Sequence, residues 1–146
     1  MPESYDYFEH GADIGIVGRG ASVEQAMERA AMAVFALMTR LDTVQLRQSV
    51  ALQFEEADRE LALLTWLNLL LGEARSRGLV FRKFELRRDG APPEGTSSGA
   101  RWSGTAQGEP WRDGLERGVE VKGATLTGLA LRQTDGLWEA RCVVDV

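Results

Sequence analysis

The segment Asp58–Gly78, DRELALLTWLNLLLGEARSRG, decides the fold class of this chain of 146 residues. Asp58 has the side chain of a good helix N-cap, and Gly78 suits the position just after the last helical turn. Arg75 and Arg77 lie in that turn, where positive charge complements the negative end of the helix dipole. Because apolar side chains cover much of its circumference, we expect this helix to be more buried than the chain's other helix.

The other helix is predicted earlier in the chain, within ASVEQAMERAAMAVFALMTR. Ser22 is a good N-cap, and Gln25 three residues later completes a capping box. Apolar residues recur at helical spacing along one face: Ala26, Met27, Ala30, Ala31, Val34, Phe35 and Met38. The pattern indicates an amphipathic helix whose apolar face packs against the core.

Alternating and β-branched segments around these helices predict strands. They are SYDYFE, IGIVGRGA, SVALQFEEA, LVFRKFELRR, the start of RWSGTAQGEPWRDGLERG, and two segments flanking Asp135-Gly136, VEVKGATLTGLALRQT and LWEARCVVDV. Asp-Gly between alternating segments is a strong hairpin signal. Two helices are too few to cover both faces of so large a sheet, so we expect them to pack together on one face. The prediction is one α+β domain over residues 1–146, a mixed or antiparallel sheet layered with two helices, plus a smaller strand hairpin region.

Charge and composition exclude several classes of protein. There are 17 Lys and Arg against 22 Asp and Glu, which gives a net charge of −5. A general nucleic-acid coat or a polybasic membrane binder needs excess positive charge, so the net charge argues against both classes and leaves open a small basic patch that meets an acidic partner. The N-terminus lacks a basic region followed by an apolar run, and the longest apolar stretch is about half a membrane span. We expect a soluble, cytoplasmic protein that contacts no membrane.

Residue counts disfavour nucleophilic and zinc chemistry. His10 is the only histidine and Cys142 the only cysteine, so an internal disulfide cannot form and a closed zinc site, which wants about four N or S ligands, fits poorly. Cys142 alternates within a predicted strand, which indicates a buried and inert thiol, and Ser22 is needed as a helix cap. The stretch GIVGRGAS lacks the Gly-Lys-Ser/Thr ending of a P-loop, so a bulge or tight bend explains its glycines better.

Acidic residues near both ends of the chain are candidate ligands of a cation. The stretch EHGADIG gathers Glu9, His10 and Asp13 in a short loop between two predicted strands. At the other end, Asp145 is followed at once by the α-carboxylate of Val146. If the loop lies beside the tail, three carboxylates meet there and repel one another unless a cation such as Ca²⁺ or Mg²⁺ neutralises them.

Simpler interpretations of the same residues stay open. An aspartate near a chain terminus is usually a solvated charge. A single histidine such as His10 is more often a hydrogen-bonding residue at a strand end than a metal ligand. Glu9 fits equally well as the polar partner in an alternating strand.

Several motifs together resemble those of the archease family. They are YFEHGADIGIVGRG, LLTWLNLLL, FRKFEL, GEPW, VEVKGATLTGL and the ending LWEARCVVDV, in this order over nearly the whole chain. The resemblance implies a small α+β protein that assists the GTP-dependent RNA ligase of tRNA splicing and RNA repair. That ligase joins a 2′,3′-cyclic or 3′-phosphate end to a 5′-hydroxyl. An archease promotes guanylylation of the ligase and multiple turnover, and is not itself an enzyme.

The resemblance also implies a metal site and a partner. It assigns a divalent cation, calcium in the first place with magnesium or manganese as alternatives, to Asp13, Asp145 and Val146. Glu9, His10 and Lys122 become candidates for contact with the partner or for its activation. Lys122 is equally well explained as a solvated strand lysine. The partner is the ligase, RNA is reached only through it, and the oligomeric state is left open.

Three positions depart from the family pattern. Gly11 replaces a threonine in the Glu-His-Thr-Ala-Asp motif, so any hydrogen bond from that hydroxyl is lost. Leu126 and Thr127 stand where the family often has Tyr-His, which removes a histidine there.

The loop Asp89–Gly99 is either a disordered tip or a docking loop.

Two other functions are compatible with the sequence. One is a chaperone-like modulator that keeps RNA-modifying enzymes such as tRNA methyltransferases soluble. The other is a metal-dependent hydrolase built on the carboxylate cluster, for which only Glu9 and His10 offer a general base.

Overall fold

The computed structural model describes residues 4–89 and 100–146, so the predicted loop Asp89–Gly99 lies, apart from its first residue, outside the described residues. Two α-helices, a short 3-10 helix and eight strands are formed in the described part. The strands are β1 Tyr5–His10, β2 Asp13–Gly20, β3 Gln48–Glu55, β4 Leu79–Arg88, β5 Arg101–Pro110, β6 Gly123–Ala124, β7 Ala130–Thr134 and β8 Leu137–Asp145. The helices are α1 Val23–Met38 and α2 Arg59–Arg77, and the 3-10 helix is Leu41–Thr43.

These strands form two antiparallel sheets. In the large sheet the order is β1-β2-β8, with β6 and β7 both pairing with β8. In the small sheet β5 lies between β3 and β4. The predicted α+β class is confirmed, and the large sheet unites the two ends of the chain because β1 and β2 come first and β8 last.

The core lies around the helices, which contact strands of both sheets. Helix α1 packs on β2 and β8 of the large sheet and on β4 of the small one. Eight of its sixteen residues are buried, against seven of nineteen in α2. The prediction that α2 is the more buried helix is therefore wrong. Small side chains on one face of α1, Ala26, Ala30 and Ala33, are fully buried and let the large sheet approach the helix closely.

One glycine sets how closely α1 approaches the large sheet. Gly18 of β2 faces the helix, and a methyl group added there would overlap backbone atoms of Ala26 and Ala30. Only a residue without a side chain permits this contact. The helix therefore packs directly on the backbone of β2.

The predicted helix ends are confirmed. Ser22 accepts a hydrogen bond from the Gln25 amide, and the Gln25 side chain accepts one from the Ala21 amide, which is the capping box. The Asp58 carboxylate accepts hydrogen bonds from the Glu60 and Leu61 amides in the first turn of α2. Gly78 ends α2 with a left-handed φ of 67°.

Two strand segments differ from the sequence prediction. In β4 the pairing with β5 shifts between Phe81 and Lys83, which is a β-bulge. The extra residue explains why the predicted alternation there is imperfect, since Leu79–Phe81 are all buried. The segment 119–134 is not one strand: it forms β6, an irregular turn and then β7, because Gly128 takes a positive φ of 64°. The Asp135-Gly136 hairpin turn is confirmed, and both residues have positive φ.

A buried carboxylate ties the chain after α1 to the end of β5. Glu109 is 1% exposed and accepts hydrogen bonds from the Gln45 amide at 2.6 Å and from Arg112 Nε at 2.7 Å. Arg112 also donates to the Thr43 carbonyl at 3.1 Å. The Arg112 side chain and the Gln45 amide hold the pKa of the Glu109 carboxyl below its usual value.

Neither helix of the described residues is long and apolar enough to cross a membrane.

We predict that Gly18→Ala destabilises the protein by about 3 kcal/mol, because the added methyl group overlaps helix backbone that cannot move aside alone. Urea unfolding followed by circular dichroism measures the change. Gly72→Ala is the matched control: Gly72 is exposed within α2 and a methyl group there meets nothing within 4 Å. The control should gain about 1 kcal/mol of stability. A Gly18→Ala protein as stable as the wild type would contradict the close packing.

We predict that Glu109→Gln lowers the urea midpoint of unfolding at pH 7. The difference in midpoint between the variant and the wild type should become smaller as the pH falls. The folded pKa of Glu109 is lowered, so its stabilisation is complete above the unfolded pKa of about 4.3 and is lost as the pH falls through the folded value. Glu28 acts in the opposite direction because burial raises its pKa. The comparison with the variant therefore isolates Glu109. A gap that stays constant down to pH 3 would show that ionisation of Glu109 contributes nothing.

Candidate functional site

The first hairpin turn positions His10 and Asp13. Strands β1 and β2 are joined by the two residues Gly11 and Ala12, and His10 pairs with Asp13 across the turn. Gly11 has a φ of 60°, the left-handed value that glycine supplies at the first central position of a type II′ turn. Glycine adopts this φ without strain, whereas a threonine at position 11 would be strained.

The chain terminus lies beside this hairpin. Strand β8 pairs with β2 so that Val144 is opposite Ile14, and one further step of this register sets Asp145 opposite Asp13. The Val146 amide donates a hydrogen bond of 3.4 Å to Asp13 Oδ1. The loop after the opening strand and the final two residues therefore meet at one end of the large sheet.

The alternation of side chains decides which groups share a face there. Asp13, Asp145 and His10 occupy corresponding positions on three adjacent strands, and their side chains lie on the face turned away from the helices. Glu9 pairs with Ile14 and so lies on the opposite face. The structure groups His10 with the two aspartates and separates Glu9 from them.

Two carboxylates at directly opposed positions repel each other and destabilise the strand pair. Asp13 is half-buried, Asp145 is exposed, and the half-buried Val146 adds a terminal carboxylate. Within residues 4–89 and 100–146, no group of three or more His, Cys, Asp or Glu side chains is placed to hold a metal ion. A cation here would depend on the two aspartates together with the terminal carboxylate and backbone oxygens. This all-oxygen donor set fits Ca²⁺ or Mg²⁺ and does not fit zinc.

Lys122 lies on the other side of the terminal strand. Its amide donates to the Asp145 carbonyl at 2.8 Å, and the next residue, Gly123, pairs with Asp145. The Lys122 side chain is exposed. The structure thus places Lys122 immediately before the two-residue strand β6, next to the backbone of Asp145.

Two side chains of α2 hold the segment Lys122–Ala124, and the sequence predicted neither of them as part of this site. Asn68 donates to the Ala124 carbonyl at 3.1 Å and accepts from the Ala124 amide at 2.8 Å. Arg75, two turns further along α2, donates to the Lys122 carbonyl at 3.1 Å. Asn68 therefore pairs with β6 as a neighbouring strand would. The signal in the sequence was a single amide side chain within the apolar run TWLNLLL.

Cys142 is fully buried, and burial raises the pKa of its thiol to about 12. The thiolate needed for nucleophilic or metal chemistry is therefore negligible at neutral pH. The prediction that this thiol is buried is confirmed.

We predict that Asn68→Ala increases hydrogen exchange of the Ala124 amide at least tenfold and costs about 1–2 kcal/mol of stability, because both hydrogen bonds to β6 are lost. Asn68→Asp should also release the strand, since a carboxylate cannot donate to the Ala124 carbonyl. Ser76→Ala is the control, because Ser76 donates only within its own helix, to the Glu73 carbonyl. Unchanged protection of Ala124 in both Asn68 variants would show that Asn68 does not position β6.

Comparison with known proteins gives one consistent result. The model of the Archease protein family (MTH1598/TM1083) matches residues 5–146. Protein archease of Sulfolobus acidocaldarius is 36% identical over 145 residues, covering 97% of this chain and 98% of the relative. Protein archease of Methanothermobacter thermautotrophicus is 31% identical, covering 99% of both chains.

Two solved structures have the same fold. The solution structure of Methanobacterium thermoautotrophicum protein 1598 superposes with a TM-score of 0.84 at 31% identity, covering 98% of this chain and 99% of that one. The crystal structure of an archease from Thermotoga maritima, described as a possible chaperone, superposes with a TM-score of 0.65 at 20% identity, covering 95% of this chain and 94% of that one. The family model, the full-length relatives and the shared architecture agree, and the chain belongs to the archease family.

Proposed function

We propose that this protein is an accessory activator of a GTP-dependent RNA ligase that acts in tRNA splicing and RNA repair. In this role it promotes guanylylation of the ligase and multiple turnover, and it is not an enzyme itself. Membership of the archease family supports the proposal. One structural observation also supports the proposal. The first hairpin lies beside the chain terminus, and the Val146 amide donates a hydrogen bond to Asp13.

The proposal includes a divalent cation, Ca²⁺ in the first place, with Mg²⁺ or Mn²⁺ as alternatives. Asp13, Asp145 and the terminal carboxylate of Val146 would hold it. When bound, the cation would offset the repulsion between carboxylates that the β2–β8 register sets opposite each other. It would also fix the last residues of the chain against the first hairpin, so that the partner meets an ordered surface.

The acidic end of the large sheet is the proposed contact with the ligase. An enzyme that binds RNA needs a basic cleft, and a chain with a net charge of −5 is steered towards such a cleft. His10 lies on the same face as the two aspartates, and Lys122 lies beside the terminal strand. These two side chains are proposed to contact the partner around the cation. Glu9 lies on the opposite face, so we assign it no part in this contact.

We predict that Asp13→Asn and Asp145→Asn each reduce stimulation of the cognate ligase at least tenfold, because each removes one of the proposed cation ligands. The assay contains purified ligase, GTP and RNA with a 2′,3′-cyclic phosphate and a 5′-hydroxyl end. It scores turnovers per ligase and the guanylylated fraction. Asp135→Asn is the matched control: it removes the same charge from the far end of β8, and asparagine tolerates the positive φ of 53° there.

A second measurement on the isolated protein separates the cation from the ligase. Ca²⁺ should raise the melting temperature of the wild type and of Asp135→Asn, but not that of Asp13→Asn. Full stimulation by folded Asp13 and Asp145 variants would remove both residues from the mechanism. Protection of the ligase from aggregation, with unchanged guanylylation, would favour the chaperone-like function instead.

A further inference from the structure

A concave surface lies next to the segment that precedes β6, and Arg75 in its lining donates to the Lys122 carbonyl. It is a cleft of about 460 Å³ between the last turns of α2, the start of β4 and the segment 111–121. We call it the α2 cleft. The lining residues include the apolar Leu71, Leu79, Val119 and Val121 and the charged Arg75, Arg117 and Glu120. None of the proposed cation ligands is among them.

The α2 cleft combines an apolar floor with a cationic rim. Leu71, Leu79 and Val121 are each 3% exposed or less and belong to the main core, so the floor is rigid. The rim carries the guanidinium groups of Arg75 and Arg117. In the described part of the chain neither arginine has a carboxylate within 4 Å, although other arginines on the surface are paired.

Both arginines are held in place by the chain itself. The Arg117 guanidinium lies 4.1 Å from the centre of the Trp111 ring, and Arg75 donates to the Lys122 carbonyl at 3.1 Å. The wall that carries Arg117 is fixed to the end of α1, because the Gly118 amide donates to the Met38 carbonyl at 2.8 Å. The positive groups are therefore already ordered before any ligand binds, which lowers the entropic cost of binding.

We propose that the α2 cleft binds an extended peptide segment of a partner protein in which apolar side chains are flanked by acidic ones. The apolar side chains would lie on the floor, and carboxylates would pair with the guanidinium groups of Arg75 and Arg117. Charge complementarity supports this choice, because two arginines, Arg75 and Arg117, line the cleft against one acidic residue, Glu120. The proposal does not depend on the cation or on the identity of the ligase.

Two observations favour a peptide over RNA. Two arginines alone release few counterions, and counterion release supplies most of the affinity for a phosphate backbone. The guanidinium of Arg117 already covers one face of Trp111, so that face cannot stack on a base. An open cleft with an apolar floor suits side chains of an extended segment.

The test uses a fluorescein-labelled nine-residue peptide of leucine and phenylalanine alternating with glutamate. Matched peptides carry glutamine or lysine in place of glutamate, and binding to the full chain is followed by fluorescence anisotropy. We expect the glutamate peptide to bind at least tenfold more tightly than the lysine peptide. The double variant Arg75→Gln, Arg117→Gln should bind it at least tenfold more weakly. Arg87→Gln, an exposed arginine that does not line the cleft, should bind it like the wild type.

A second variant guards against loss of the fold. Val119 is 40% exposed on the cleft wall, so Val119→Glu adds a negative charge without disturbing the core and should weaken binding of the glutamate peptide. Equal binding of the glutamate and lysine peptides, or unchanged binding by the folded double variant, would overturn the proposal. So would cleft-dependent binding of a single-stranded RNA oligonucleotide in place of the peptide, or self-association through the cleft in sedimentation. If the protein binds the glutamate peptide but does not stimulate the ligase, the proposed function is contradicted and the peptide proposal is not.

Discussion

The close packing of α1 on the backbone of β2 is the contact on which the rest of the structure depends. Gly18 permits it, and the buried alanines of the helix extend it. On the opposite side of the same helix, Phe35 packs against the rings of Phe81 and Phe84 in the small sheet, with centroids 5.5 and 5.4 Å away. One helix thus serves as the shared core of both sheets. This arrangement explains why α1 is the more buried helix, with eight of its sixteen residues buried against seven of nineteen in α2.

The same packing fixes the geometry of the acidic end. Ile16 of β2 is paired with Cys142 of β8, and both are fully buried against the helices. A slip of one residue between these strands would turn every such side chain outwards, so the core specifies the register. Once the register is fixed, Asp13 and Asp145 have no freedom to avoid each other, because they are the next positions along it. The apolar core therefore imposes the juxtaposition of charges, which solvent or a cation must then compensate.

Local signals in the sequence predicted local structure well. Ser22, Asp58 and Gly78 act at helix ends through bonds to neighbours in the chain, and the Asp135-Gly136 turn needs only two residues with positive φ. Features that depend on distant partners were not predictable in this way. The division into two sheets, the bulge after Phe81 and the burial of α1 all follow from packing between segments far apart in the sequence. The candidate site was predictable in part, because β8 runs to the penultimate residue and so carries the chain terminus to one end of the large sheet.

Asn68 illustrates why the remaining part of the site was missed. A single polar residue in an apolar helix can face solvent without any consequence, and the sequence does not say what lies opposite. Its partner, Ala124, belongs to a strand of two residues that has no alternating pattern of its own. Such a strand is ordered by the side chain that binds it and not by its own propensity. Polar residues that complete short strands are therefore found from the structure and not from periodicity.

The backbone of Lys122 connects the acidic end of the large sheet to the α2 cleft. The Lys122 amide donates to the Asp145 carbonyl, and its own carbonyl accepts from Arg75, which also lines the cleft. A carboxylate that takes over the Arg75 guanidinium would compete with the Lys122 carbonyl for the same donor. The exchange involves one hydrogen bond at an exposed side chain, with a net value of about 1 kcal/mol. Any coupling through this path is therefore limited to about fivefold in affinity, enough to bias the order in which the two surfaces engage a partner and too little to make one depend on the other.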